Sequence, residues 1–189
     1  MSSAKNIKIG VVTCSTRSTR VNPYITQYVC DTLKKDLLDG TTLHTIDLEA
    51  QSLPLYDEPA IPAGLPKDDP TPHYQREHTR NWSTVYNWSV PASLKNALDF
   101  LYHEWTGKAA AVVSYGSRGG GRAAVHLQHI LTGLKMKVTG ITVPLAISLD
   151  DINECIAGGG VLGSVVLERW ANEGVAETLR SAFREMCSP

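Results

Sequence analysis

The chain has no surplus of charge of either sign. Eighteen Lys and Arg stand against 19 Asp and Glu, a formal net charge of −1. That excludes holding nucleic acid or an anionic membrane through a global basic excess. Long apolar runs are missing too: none approaches the roughly 20 residues that cross a bilayer. The start, MSSAKNIKIGVVTC, carries one short apolar stretch broken by lysine and glycine, so no secretory leader is read there. Cysteine is sparse. Cys14, Cys30, Cys155 and Cys187 show neither CxxC spacing nor a paired framework. Reduced thiols and a cytoplasmic location are the expectation. Two nucleotide spellings are absent as well. No GxGxxG follows the first apolar run, and Gly107-Lys108 leads into Ala109, with Tyr102 where a P-loop needs glycine. His126 and His129 lie three apart with no evident third ligand, so no metal site is expected.

What remains is a globular composition. Apolar residues make up 42% of 189, enough for a sizeable core, and the length suits one domain spanning 1–189. Low hydrophobicity with high net charge, the mark of disorder, is not found. Ile7 to Thr13 reads IKIGVVT, nearly continuous, as a strand buried on both faces should be. A helix follows, with Asn22 as its cap, Pro23 in its first turn and Gly40 beyond its end. Leu43 to Leu48 reads as a second strand. Six prolines between Pro54 and Pro72 make Glu49 to Thr79 loop-like, with a short helix possible over Tyr74 to Ser83. Ser89 or Asn87 can cap a helix whose apolar stripe runs from Leu94 to Trp105, with Gly107 at its end. Strand Ala109 to Tyr115, helix Arg122 to Met136, strand Val138 to Val143 and a final helix from about Val165 to Met186 complete the pattern. Alternating strands and helices argue for an α/β fold with a parallel sheet and helices on both faces.

In such sheets ligands sit beyond the carboxyl ends of the strands, which points to three loops. The first, residues 14–22, offers the hydroxyls of Ser15, Thr16 and Ser18, the guanidinium forks of Arg17 and Arg20, and the N–H groups of a helix start. Together these suit a phosphate dianion, although a solvated polar turn would look alike. The second, Tyr86-Asn87-Trp88-Ser89-Val90-Pro91, can cover a planar ring and bond its edge; a capped helix entry explains it as well. The third, Tyr115-Gly116-Ser117-Arg118-Gly119-Gly120-Gly121, lets backbone amides approach a ligand closely, or is a flexible turn.

Read together, CSTRSTRVNPYI, LPLYDEP and YNWSVPASLKNALDFLYHEWTGKAAAVVSYGSRGGG resemble the NADPH-dependent FMN reductase family of flavodoxin-like proteins, which includes small cytosolic quinone reductases. The resemblance implies a three-layer flavodoxin-like sandwich that binds FMN and takes electrons from NADPH or NADH. The acceptor would be a small molecule, such as a quinone, a flavin or an azo compound. Ser15, Arg17 and Arg20 would hold the FMN phosphate. Tyr86 and Asn87 would lie beside the isoalloxazine ring, and Tyr115, Gly116, Ser117 and Gly119 at its other edge. The cofactor carries the hydride chemistry, so no protein general base is assigned. A homodimer is implied; no nucleic acid, membrane or metal is.

The sequence departs from the family at two places. Cys14 stands where relatives usually have glycine, just before the serine of the phosphate loop. Then Thr79-Arg80-Asn81-Trp82-Ser83 runs into Tyr86-Asn87 with only Thr84 and Val85 between. Relatives place a buried strand ending in Thr-Pro there, so an internal deletion is read around residues 83–86. The central third strand, next to strand one in an order of 2-1-3-4-5, is expected to be missing or replaced by RNWSTVY. The alternative function is a flavodoxin-like protein that has lost flavin binding and serves as a dimerising or regulatory partner, or as an unstable isoform.

Overall fold

The computed structural model describes residues 7–37, 40–56, 62–64 and 89–188. Strand β1 (Ile7–Thr13) leads to α1 (Asn22–Lys34), β2 (Thr41–Asp47) and the single turn α2 (Leu48–Gln51). A 3-10 turn at Pro62–Gly64 follows. Then come α3 (Ala92–Asp99), β3 (Ala109–Gly116), α4 (Gly121–Gly133), β4 (Lys137–Ala146), α5 (Leu149–Ala157), α6 (Ser164–Asn172) and α7 (Val175–Cys187). The expected α/β alternation is present. β1 runs parallel to β2 in register from Ile7 opposite Thr41 to Thr13 opposite Asp47. β3 runs parallel to β4, from Ala109 opposite Lys137 to Gly116 opposite Ala146, with one irregularity between Ala110 and Val112. Among the described residues β1 pairs with β2 alone and β3 with β4 alone. The stretch 80–87, which would supply or lack the strand between the two pairs, lies outside the described residues. So does the short helix expected over Tyr74 to Ser83.

Two apolar clusters form the core. The larger brings Ile25, Val29 and Leu33 of α1 against Val143 and Leu145 of β4, Trp170 of α6, and Leu179 and Phe183 of α7. The smaller joins Leu94 and Leu98 of α3 to Val112 of β3 and to Ala124 and Leu131 of α4. Each fully buried Leu or Phe here stabilises the fold by about 1.5–3 kcal/mol.

Several expectations are corrected. β1 is not buried on both faces. Ile9 and Val11 pack into the larger cluster, while Val12 is 40% exposed beside Ile46, its register partner, at 39%. The third helix stops at Asp99 rather than continuing to Trp105. The Trp105 indole N–H donates to the Leu98 carbonyl at 3.2 Å, satisfying a helix-end acceptor from outside the helix. The fourth helix closes at Gly133, and Lys135 turns left-handed (φ 61°) before β4. The expected final helix is two helices, because Gly174 adopts φ 68° between them. Helix α5 is an element the periodicity did not reveal. Its start is fixed by a reciprocal cap: Ser148 Oγ accepts from the Asp151 N–H, and Asp151 accepts from the Ser148 N–H.

Candidate functional site

The carboxyl ends of β1 and β2 meet at the first loop, where Arg20 reaches Asp47. Thr13 and Ser15 are buried, and Thr13 Oγ1 bonds Thr26 Oγ1 of α1 at 2.9 Å. Asn22 does not cap α1; Val21 occupies that position with no side-chain bond. Instead Asn22 Oδ1 accepts from the Ser15 N–H at 2.8 Å and folds the loop back onto the helix start. The Cys14 carbonyl accepts from Ser93 Oγ of α3 at 2.7 Å, which ties the strand end to the neighbouring helix. Burial pushes the Cys14 thiol up to about 12, so it stays protonated at neutral pH.

Arg20 is engaged from two sides. Its Nη1 and Nη2 donate to Asp47 Oδ1 and Oδ2, both at 2.7 Å, and Nη1 also donates to the Ser15 carbonyl. Glu49 lies 3.7 Å from Nη2. The guanidinium hydrogen bond holds Asp47 below the usual carboxylate range, and the carboxylate in turn raises Arg20. Tyr115, at the end of β3, packs against the larger apolar cluster, to which Val21 at the end of the first loop belongs. Arg17 is exposed at the loop surface.

The third loop is a tight turn rather than a slack one. Ser114 Oγ donates to the Gly119 carbonyl at 2.6 Å, the Gly119 N–H reaches the Gly116 carbonyl at 2.9 Å, and the Ile147 N–H reaches the same carbonyl at 3.0 Å. Gly119 and Gly120 both adopt φ 72°, which disfavours any residue with a Cβ. A Cβ at Gly119 would lie 2.6 Å from Pro144 Cβ. Ser117 is exposed at the tip, and α4 begins directly behind it, with Gly120 as its cap.

The structure thus brings Ser15 and Arg20 together, and sets Tyr115, Gly116, Ser117 and Gly119 on the turn that follows β3. Tyr86 and Asn87 lie outside the described residues. Of the second loop, Ser89 is not the helix cap, since Pro91 precedes the first residue of α3. Its Oγ pairs with Nδ1 of the exposed His126 of α4 at 2.7 Å. The sequence reading missed Asp47. Its only sequence signal is a carboxylate at the end of a strand followed by Glu49. Hydroxyls, the Arg17 guanidinium and the start of α1 at one sheet end form a donor set that fits a phosphate monoester.

The family model for NADPH-dependent FMN reductase matches residues 7–148, most of this chain and both described loops. The chain belongs to the NADPH-dependent FMN reductase family. Membership brings FMN as cofactor and NADPH or NADH as donor. The chain is 41% identical to an NAD(P)H-dependent FMN reductase of Saccharomyces cerevisiae over 152 residues, covering 71% of this chain and 78% of the yeast protein. It is 34% identical to an NAD(P)H-dependent FMN reductase of a Nectria species over 195 residues, 95% of this chain and 94% of that one. Those 195 aligned positions outnumber the 189 residues of the chain, so gaps open in this reductase along the way. Among solved structures, the flavoenzyme NAD(P)H:(acceptor) oxidoreductase FerB of Paracoccus denitrificans superposes with a TM-score of 0.56 at 16% identity, covering 93% of this chain and 98% of FerB. That likeness establishes the flavodoxin-like fold. No helix among the described residues is long and apolar enough to cross a membrane.

Proposed function

We propose that this reductase binds FMN at the carboxyl end of its sheet and passes reducing equivalents from NADPH or NADH to a small acceptor. A quinone, free flavin or azo compound is the acceptor class we assign, and a cytoplasmic homodimer the working form. The observation that carries the reading is the family match over 7–148 together with a donor-rich loop between β1 and α1. Bound FMN supplies the hydride chemistry, accepting from the nicotinamide and giving to the acceptor. The protein's part is placement. Ser15, Arg17 and the start of α1 take the phosphate. Arg20 belongs to the same loop. Tyr115, Gly116, Ser117 and Gly119 border the ring on one edge, and Tyr86 and Asn87 on the other.

The test is an FMN titration of the purified protein followed by flavin fluorescence and thermal melting. Saturable binding at micromolar or tighter affinity is expected. At 100-fold excess over Kd the fold should gain about 2.7 kcal/mol. Turnover with each nicotinamide against a panel of acceptors then ranks the substrates.

A second reading, loss of flavin binding through the deletion, draws support from one observation. Val12 and Ile46, register partners across β1 and β2, are left partly uncovered. Absence of FMN binding in a protein that still melts cooperatively would select it.

A further inference from the structure

We propose that Asp47 is the positioning residue of the phosphate loop: it fixes Arg20 on the Ser15 carbonyl, so that Arg20 shapes the loop and the phosphate falls to its other donors. The proposal rests on the phosphate-site reading above. Arg20 and Asp47 are 27 residues apart, one in the first loop and one at the carboxyl end of β2. Their contact is bidentate, the planar fork-to-carboxylate arrangement that fixes direction as well as distance. Nη1 has two hydrogens, and Asp47 and the Ser15 carbonyl take both. The Arg20 side chain is 14% exposed. Asp47 is itself held: its Oδ1 also accepts from the Glu49 N–H at 3.1 Å and so caps α2.

The consequence falls on Ser15. Its N–H is held by Asn22 and its carbonyl by Arg20, so the peptide units on either side of it are oriented before any ligand arrives. Such preorganisation strengthens binding by removing an ordering cost rather than by adding a contact. Charge points the same way. Asp47 and Glu49 lie against Arg20 and offset its charge, and Arg17 lies at the exposed rim of the same loop.

The experiment compares FMN with riboflavin, which lacks the phosphate, in wild type, Asp47→Asn, Arg20→Ala and the double variant. It adds hydrogen exchange of residues 14–21 without flavin. Asp47→Asn keeps size and the capping oxygen, so the fold should survive. Asp47→Glu is the second variant and should restore the pair in part. The expected result is an FMN affinity about tenfold weaker in Asp47→Asn, as for loss of a charge-assisted hydrogen bond, with riboflavin affinity unchanged. Exchange in 14–21 should quicken while the rest of the molecule holds. The double variant should be no worse than Arg20→Ala alone. FMN affinity unchanged or raised in Asp47→Asn would overturn the proposal, because a released Arg20 would then be a direct ligand. An equal fall for riboflavin would overturn it too, as general damage. A wild type that binds riboflavin as tightly as FMN would remove the phosphate site itself, a failure visible before any variant is made.

Discussion

Asn22 shows how one residue can satisfy a sequence rule and do something else. Asparagine before proline at a helix start reads as a cap, yet its Oδ1 takes the N–H of Ser15, seven residues back. Removing it in Asn22→Ala leaves the N–H of a buried residue without its partner, at a cost of about 1–3 kcal/mol. A melting temperature lower by about 2–4 °C per kcal/mol is expected for a chain of this size, with weaker FMN binding. Asn22→Asp keeps the acceptor and should recover most of both. Gly119 is the other sensitive residue. Gly119→Ala adds left-handed strain and a 2.6 Å approach to Pro144, together about 2 kcal/mol or more. Circular dichroism melts set against flavin affinity would show whether the turn or only the stability is lost. The place of Ser15 and Arg17 on the loop between β1 and α1 was legible because a polar stretch directly follows an apolar run. The Arg20–Asp47 pair was not, since nothing in a local pattern joins a loop to the far end of the next strand.

At the scale of elements, period and punctuation located most of what the structure shows. β1, α1, β3 and the body of α4 lie where apolar spacing put them. The misses share a cause: tertiary contacts outvoted local pattern. Trp105 continues the stripe of α3 in sequence but caps it in space, and Gly174 breaks a run of helical spacing that looked unbroken. Helix α5 was hidden because its signal is the Ser148–Asp151 cap and not a stripe. That cap makes a pH prediction. Asp151 is held down to about 2, first by the Arg169 hydrogen bond and then by the Ser148 N–H. A carboxylate depressed in the folded state contributes stability that is complete above its unfolded value near 4 and is lost as pH falls towards 2. Acid titration of stability in wild type and Asp151→Asn should diverge above that window and converge at its lower end. The two faces of β1 make another. Val12→Thr, on the partly exposed face, should change stability by less than about 0.5 kcal/mol. Val11→Thr, packed into the larger cluster, should cost about 1 kcal/mol or more by burying a hydroxyl. Equal effects in denaturant melts would mean that both faces are covered.

In the whole molecule, the larger cluster crosses from α1 to α6 and α7 by way of β4, so the two strand pairs share one apolar body even though the described residues show no ladder between them. Trp170 is its largest fully buried side chain. Fully buried, it donates its indole N–H to the Ala146 carbonyl at 2.7 Å and meets Tyr28 of α1 at 4.9 Å between ring centroids. Trp170→Ala should cost about 3–5 kcal/mol, enough to erase much of a typical stability of about 5–15 kcal/mol. Unfolding followed by far-UV dichroism and by tryptophan fluorescence should give coincident transitions if both strand pairs stand or fall with this cluster. Burial has one more effect, on the handling of oxidants. All four cysteines are free thiols, and burial raises those of Cys14, Cys155 and Cys187 above their ordinary value. Thiolate is the form that peroxide and alkylating reagents attack, and these three sites offer little of it at neutral pH. A redox protein built this way keeps the sulfur of Cys14, Cys155 and Cys187 out of the electron traffic, and its mass at those three positions should stay unchanged through storage in air without added reductant.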